Sequence, residues 1–522
     1  MSSNDQRSIV FSFICRGMAL ALLGLLTVVS PAQSSAKKKK PAPKPGAIRL
    51  APPARKPAHP QKGGIRSKVS PILHHSFVPH RGSRYSTPAR STHSTASTYN
   101  SAPTHPLMIP RAETPTPETP NLETSRAVET EQRPGAQSIQ LSLTDPAGGI
   151  EGGKYLAPFF DSLKALQASP GSSEVRILHF GDSHTAADIF TNTVRTLFQD
   201  RFGNGGAGFS LAGYPFKGYR IHGTRREMST GWSVLGTYLP DIGDAMVGMG
   251  GVSMQTAHSG DWVSLDTMAS SLRVQYLIQP GGGDIAIYDG DTLLQTVPTA
   301  GDNYAGGVFT TNVTPGDHHF EVRTLNSAPV RLLGFVTENT GGITYEAMGI
   351  NGAEASIFLR WNEAIQQEII QDRPPSLIVL DYGTNEASDH TWTEEGYETM
   401  FQNIILRCRQ LAPGVPILVI GPPDRALRVG RHGWEEFAGV DRIINAQRAV
   451  CRKMGCAFWD WRKRMGGFGS MREWTATGWA QPDHTHFTTD GYNELAAAFF
   501  SDIFRQYTAY IGTADTTAGS IQ

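Results

Sequence analysis

Residues 175–180 run Val175, Arg176, Ile177, Leu178, His179, Phe180 and break at Gly181-Asp182-Ser183. A short, mostly apolar run closed by a glycine turn predicts a strand buried on both faces. Ile189, Val194, Leu197 and Phe198 follow at near-helical spacing and stop at Gly203, which predicts a helix directly behind that strand. The alternation returns at 342–352 followed by 353–370, at 376–382 followed by 394–411, and at 416–421 followed by a helix near 440–454. A strand over 456–461 and a last helix over 490–507 complete the series. Strands alternating with helices predict a parallel sheet covered on both faces.

Between the first and second of these units the period changes. Residues 271–278, 284–288, 307–311 and 318–323 alternate apolar and polar positions, and turn pairs such as Asp289-Gly290 and Pro315-Gly316 separate them. This predicts an antiparallel β-sandwich over 213–341, inserted into a loop of an α/β domain spanning 151–212 and 342–510. Trp232, Trp262, Tyr276 and Tyr304 fall in the insert, where aromatic side chains either fill a small core or stack on sugars.

Composition changes the picture at the amino-terminal end. Nineteen of the 34 prolines precede residue 151, and residues 37–150 carry 17 Lys/Arg against six Asp/Glu. Such a stretch buries too little apolar surface to offset its ordering entropy, so 37–150 is expected to be a disordered basic linker, and 511–522 a disordered tail. The apolar run from Met18 to Val29, after Arg7 and Arg16 and before small residues, reads as a secretory signal peptide over 1–36. Lys37 to Lys40 oppose translocation, which leaves an uncleaved membrane anchor as the alternative. Either way the folded part is expected in the periplasm or outside the cell. The basic linker could lie on an anionic cell-wall polymer or lipid, or serve only as a solvated spacer. Residues 151–522 hold 28 basic and 40 acidic side chains and no recognition motif, which argues against nucleic acid as a partner. Beyond Cys15, three cysteines remain, Cys408, Cys451 and Cys456, which read as buried thiols or as a Cys451–Cys456 bridge beside one thiol.

Ser183 follows the first strand directly, so its hydroxyl would stand at the carboxyl edge of the sheet, where open α/β folds bind ligands. A serine becomes a nucleophile when a base takes its proton and a third group orients the base. Asp483-His484-Thr485-His486, just before the last helix, offers both, with His486 favoured as base over the adjacent His484. A metal reading of Asp483, His484 and His486 lacks a further ligand set, so no metal or other cofactor is expected. Turns at Gly349 to Gly352 and at Tyr382 to Glu386 fall where the architecture would bring them beside Ser183. The N–H groups of Ser183 and Gly352 and the Asn385 amide could then face a developing oxyanion.

In this chain order the turns resemble the SGNH (GDSL-type) hydrolase superfamily. The resemblance rests on Phe180-Gly181-Asp182-Ser183-His184-Thr185, on Gly352, on Gly383-Thr384-Asn385-Glu386 and on Asp483 with His486, and covers residues 175–210 and 342–508. It implies a flavodoxin-like, three-layer α/β/α fold and metal-free ester hydrolysis. Ser183, Asp483 and His486 would be the triad, and Ser183, Gly352 and Asn385 the oxyanion hole. His184 and Glu386 depart from the lipase-like pattern, and with the insert between Ser183 and Gly352 they look more like the bacterial peptidoglycan O-acetylesterase branch, whose similar members carry a carbohydrate-binding-module-like insert. The expectation is an exported esterase removing O-acetyl groups from peptidoglycan or another extracellular polysaccharide. A lipase or thioesterase, a polysaccharide O-acetyltransferase and a non-catalytic wall-binding protein are the alternatives; oligomeric state is not legible.

Overall fold

The structure, a computed structural model, describes residues 136–236, 244–431 and 433–518. The leader expected over 1–36, the linker up to residue 135 and the last four residues of the tail lie outside the described residues. Strand β1 (Glu174–Gly181) leads through the Ser183–Ala186 turn into the Phe190–Phe202 helix. Nine strands of the insert follow, β2 (Gly208–Ser210), β3 (Thr224–Met228), β4 (Ser233–Gly236), β5 (Val252–Thr256), β6 (Trp262–Ile278), β7 (Asp284–Asp289), β8 (Thr292–Pro298), β9 (Ala305–Thr324) and β10 (Val330–Glu338). The chain then returns with β11 (Gly342–Gly349), β12 (Leu377–Asp381) and β13 (Ile417–Gly421), a hairpin of β14 (Ala426–Val429) and β15 (Gly433–Glu436), and β16 (Ala457–Asp460).

The five parallel strands stand in the order β11-β1-β12-β13-β16. Counted along the α/β unit alone this is 2-1-3-4-5, the flavodoxin-like winding, whose switch point lies at the carboxyl ends of the first and third strands. Every residue of β12 and β13 is buried, as a sheet covered on both faces requires. Successive residues of β1 serve opposite layers. Leu178 and Phe180 pack with Tyr397, Phe401 and Ile443 on one face, and Val175 and Ile177 with Phe190, Val194 and Phe499 on the other. That is the expected three-layer α/β/α arrangement.

The insert is one antiparallel sheet of nine strands. Its long strands β6 and β9 shift register against each other between Ala269 and Ser271. One core, including Val263, Leu265 and Phe320 from one half and Val274, Leu332 and Phe335 from the other, joins the two halves. Trp232 and Tyr276 belong to that core, whereas Tyr304 is exposed. The expected turn at Pro315-Gly316 is instead a point within continuous β9, because its partner β6 spans the same register. The seam to the α/β unit combines a shared apolar cluster, in which Phe209, Met249 and Leu333 of the insert join Phe180, Phe358 and Trp361, with ion pairs: Arg176 of β1 pairs with Glu346 of β11 at 3.0 Å, Arg373 joins Glu346 to Glu338 of β10, and Arg273 of β6 pairs with Glu338.

Two expected boundaries need correction. The last residues of the supposed linker are folded: helix Ala136–Thr144 buries Ile139 and Leu143, four residues apart, and Ile150 follows them into the core. Its terminal carbonyls are held by Arg464, whose Nη1 donates to Ser142 at 3.1 Å, Leu143 at 3.2 Å and Asp145 at 2.6 Å. The anchoring cation lies over 300 residues away in sequence, so local composition gave no sign of it. The last helix likewise continues past Tyr507 to Ala518. Cys408, Cys451 and Cys456 are buried free thiols, and burial pushes Cys456 up to about 11.

Candidate active site

The turn that carries Ser183 is built by close approach. A methyl group at Gly181 would stand 2.0 Å from the Thr185 hydroxyl, and one at Gly349 would stand 2.1 Å from the Ala186 nitrogen, so only glycine lets the turn lie on the strand ends. Asp182 caps the Ser183–Ala186 helix by accepting from the His184 N–H at 2.9 Å. The Asp182 N–H donates to the Asp381 carbonyl of β12, and the Ile350 N–H to the Gly181 carbonyl. Ser183 is thereby pinned between the carboxyl ends of the neighbouring strands.

From Ser183 a line of hydrogen bonds leads outward. Its Oγ lies 2.9 Å from His486 Nε2, and His486 Nδ1 lies 2.8 Å from Asp483 Oδ2. The other oxygen of Asp483 accepts from the N–H groups of Thr485 and His486, both at 3.0 Å. Burial acts to raise the Asp483 pKa, but the His486 N–H and ring and the Thr485 N–H outweigh it and hold the carboxyl below its usual range. The rival base, His484, sits at φ 53° with its ring stacked 4.1 Å from Trp434 of β15. The structure joins His486, not His484, to the serine. Among the described residues no group of three or more acidic, histidine or cysteine side chains is arranged to hold a metal ion.

Gly352 and Asn385 meet through one residue. The Asn385 amide donates to the Ala353 carbonyl at 2.8 Å, and its nearest other acceptor is Asp182 Oδ2 at 3.5 Å, the limit of a hydrogen bond. Gly352 adopts φ 73°, with nothing within 4 Å of the position a methyl would take, so its backbone conformation rather than crowding asks for glycine there. Glu386 adds a second clamp, its Oε1 accepting from the Ala355 N–H at 2.8 Å. Adjacent side chains of the asparagine turn thus fix the carbonyl and the N–H that flank the residue after Ala353.

Sequence reasoning missed the buried polar shell beneath these turns. Burial pushes Glu386 up to about 7. Burial and the neighbouring Asp381 carboxyl push Asp182 well above the usual carboxylate range. His184 Nδ1 lies 2.9 Å from the Tyr492 hydroxyl, its ring packs 5.2 Å from that of His486, and burial holds it well below the usual histidine range, so it is neutral. Arg425 donates to the Thr384 carbonyl at 2.8 Å from behind the asparagine turn. Asp188, held at φ 47°, accepts from Arg195 at 2.8 Å, from Thr191 at 2.6 Å and from the His222 N–H at 2.7 Å. His184 and Glu386 stood out only as departures from a pattern; Asp188 had no local signature.

Residues 300–493 match the family described as GDSL-like Lipase/Acylhydrolase. That span contains Gly352, Asn385, Asp483 and His486 and begins after Ser183, which the insert separates from the rest. A solved structure of a peptidoglycan O-acetylesterase is 27% identical, with a TM-score of 0.57, over 67% of this chain and 96% of its own. Family two carbohydrate esterases from Clostridium thermocellum and Cellvibrio japonicus align at 13% and 11% identity, with TM-scores of 0.22 and 0.25, over 49% and 55% of this chain and 94% and 98% of theirs. No curated protein matches the chain.

Proposed function

We propose that this chain, a hydrolase of the SGNH/GDSL type, is an exported serine esterase that removes O-acetyl groups from peptidoglycan or another extracellular polysaccharide. The observation that carries the reading is the hydrogen-bond line from Ser183 Oγ through His486 to Asp483, set at the switch point of the sheet. His486 Nε2 takes the Ser183 proton as Oγ attacks the acetyl carbonyl carbon, while Asp483 holds the Nδ1 proton and stabilises the imidazolium. The negative oxygen that forms would be met by the Ser183 and Gly352 N–H groups and by the second amide hydrogen of Asn385. His486 then protonates the departing sugar oxygen. Water, deprotonated by the same ring, attacks the acetyl-serine and releases acetate.

The likeness to a peptidoglycan O-acetylesterase, 27% identical across most of both chains, supports acetylated peptidoglycan as substrate class. The apolar run from Met18 to Val29 supports export. The test is acetate release from O-acetylated peptidoglycan, acetylated xylan and a long-chain acyl ester, with the Ser183→Ala protein beside the parent. Release from peptidoglycan is expected, falling about 10⁴-fold or more in the variant. Activity confined to the long-chain ester, or unchanged in the variant, would overturn the reading.

A further inference from the structure

Arg425 stands four residues past the end of β13, on the carboxyl edge of the sheet that also presents Ser183 after β1 and Asn385 after β12. Bonds on either side place this half-buried residue between the asparagine turn and the histidine loop. Its Nη1 donates to the Thr384 carbonyl at 2.8 Å and to the Ser388 hydroxyl at 2.9 Å, and the N–H of the next residue, Ala426, donates to the His484 carbonyl at 3.0 Å. What Arg425 lacks is a counter-ion. Elsewhere in the molecule Arg176 takes Glu346, and Arg464 takes Asp502, through Nε and Nη2 together. In Arg425 the same two nitrogens have no acceptor among the described residues, Nε being enclosed. The ring of Phe437 lies 5.6 Å from the guanidinium and covers it without neutralising it. The acids whose charge reaches Arg425 are engaged elsewhere: Asp483 with His486 and the Thr485 N–H, Asp182 with the His184 N–H. Asp424, its neighbour in the chain, accepts from the Met471 N–H at 2.9 Å. Burial accordingly lowers the Arg425 pKa, and Asp182 and Asp483 offset this only in part. A cation taken out of water without a partner is costly, and one kept at the ligand edge of a sheet points to a partner that arrives with the ligand.

We propose that Arg425 is a specificity residue that receives on Nη2 a carboxylate carried by the acetylated sugar, or by the first amino acid attached to it, so that acidic acetyl-sugars are cleaved in preference to neutral ones. The inference rests on the esterase reading and adds the charge of its substrate. A guanidinium is always ionised and matches a carboxylate in plane and spacing better than an ammonium does. The contact holds the sugar and not the acetyl carbonyl, so its effect falls on KM more than on kcat.

The experiment measures acetate release by the full chain from 6-O-acetyl-N-acetylmuramic acid, from its primary amide, and from the same sugar extended by one L-alanine, whose carboxylate lies further out. At least one acid should exceed the amide in kcat/KM by about tenfold or more, mainly through KM. Which acid leads tells whether the carboxylate belongs to the sugar or to the peptide. In Arg425→Gln, with its melting temperature checked, the acids should fall to the level of the amide, and Arg425→Lys should recover part of the gap. An arginine that only braced the Thr384 turn would lower all three rates together and leave their ratio unchanged. Equal rates on acids and amide in the parent overturn the inference without any variant, as does a gap that survives in folded Arg425→Gln; the esterase reading stands in both cases. Acetate from O-acetylated peptidoglycan but from none of the three also overturns the inference alone, and acetate from none of the four overturns both.

Discussion

Ser183 and His486 face each other across 2.9 Å, yet the two sides of that hydrogen bond are held in opposite ways. On the serine side, Asp182, His184, Thr185, Asp381 and Glu386 are at most 2% exposed and are fixed by contacts between strands that lie far apart in sequence. On the histidine side, the side chains of His486 and Asp483 are 38% and 52% exposed, and a few bonds within one short loop hold them. Phe487 is the loop's anchor, buried and stacked over Trp461 with ring centroids 5.8 Å apart. The difference separates two kinds of dependence. The serine's position is part of the fold's stability, whereas the histidine's position is a local property that can be lost while the fold remains.

Asp483→Asn should break the comparison most sharply. The substituted side chain would keep an oxygen for the Thr485 and His486 N–H groups but present an amide to Nδ1, favouring the wrong tautomer. Hydrolysis should fall about 10²- to 10⁴-fold while the urea midpoint barely moves, read by steady-state rates beside an unfolding curve. Glu386→Gln tests the other side. Burial raises the folded-state value of Glu386 to about 7, so the native chain keeps a proton that the unfolded chain releases from about pH 4.5 upward. Stability from this group is therefore lost as pH rises from about 4.5 through 7, by on the order of 3 kcal/mol. Glutamine does not titrate; unfolding curves at pH 5 and pH 8 should show the variant gaining on the parent at the higher pH, and an identical pH slope would remove the buried-acid account. Trp434→Ala should have the smallest effect. Losing the ring stacked on His484 should loosen the Asp483 loop and lower kcat/KM a few-fold, about 1 kcal/mol or less, with melting temperature nearly unchanged.

What could be read from the sequence follows the same division. The strands and helices of the α/β unit announce themselves by apolar runs and periodicity, and the turns at Ser183, Gly352, Asn385 and Asp483 sit at the ends of those runs. Choosing His486 over His484 needed only the spacing of three residues to Asp483. The buried shell was not legible, because Asp188, Glu386 and Arg425 acquire their roles from partners brought together by tertiary folding. The folding of Ala136–Thr144 was hidden for the same reason, since Arg464 and the core beneath Ile139 lie at the other end of the chain. In the insert the alternating pattern located strands but could not tell the Pro315-Gly316 pair from a true turn, because continuity is set by the facing strand.

The place of β1 also dictates an order of events during synthesis. It is an interior strand, flanked by β11 and β12, and neither neighbour exists until the ribosome has passed residues 349 and 381. From Gly181 to Asp381 is 200 residues, so at about 5–20 residues per second β1 waits roughly 10–40 s for its full set of partners. The insert shortens the wait in another sense. By pairing β2 with β10, which brings Gly208 opposite Thr337, it closes most of the gap before the sheet is assembled and lowers the entropy of joining β1 to β11. For the nascent chain the insert is a splint.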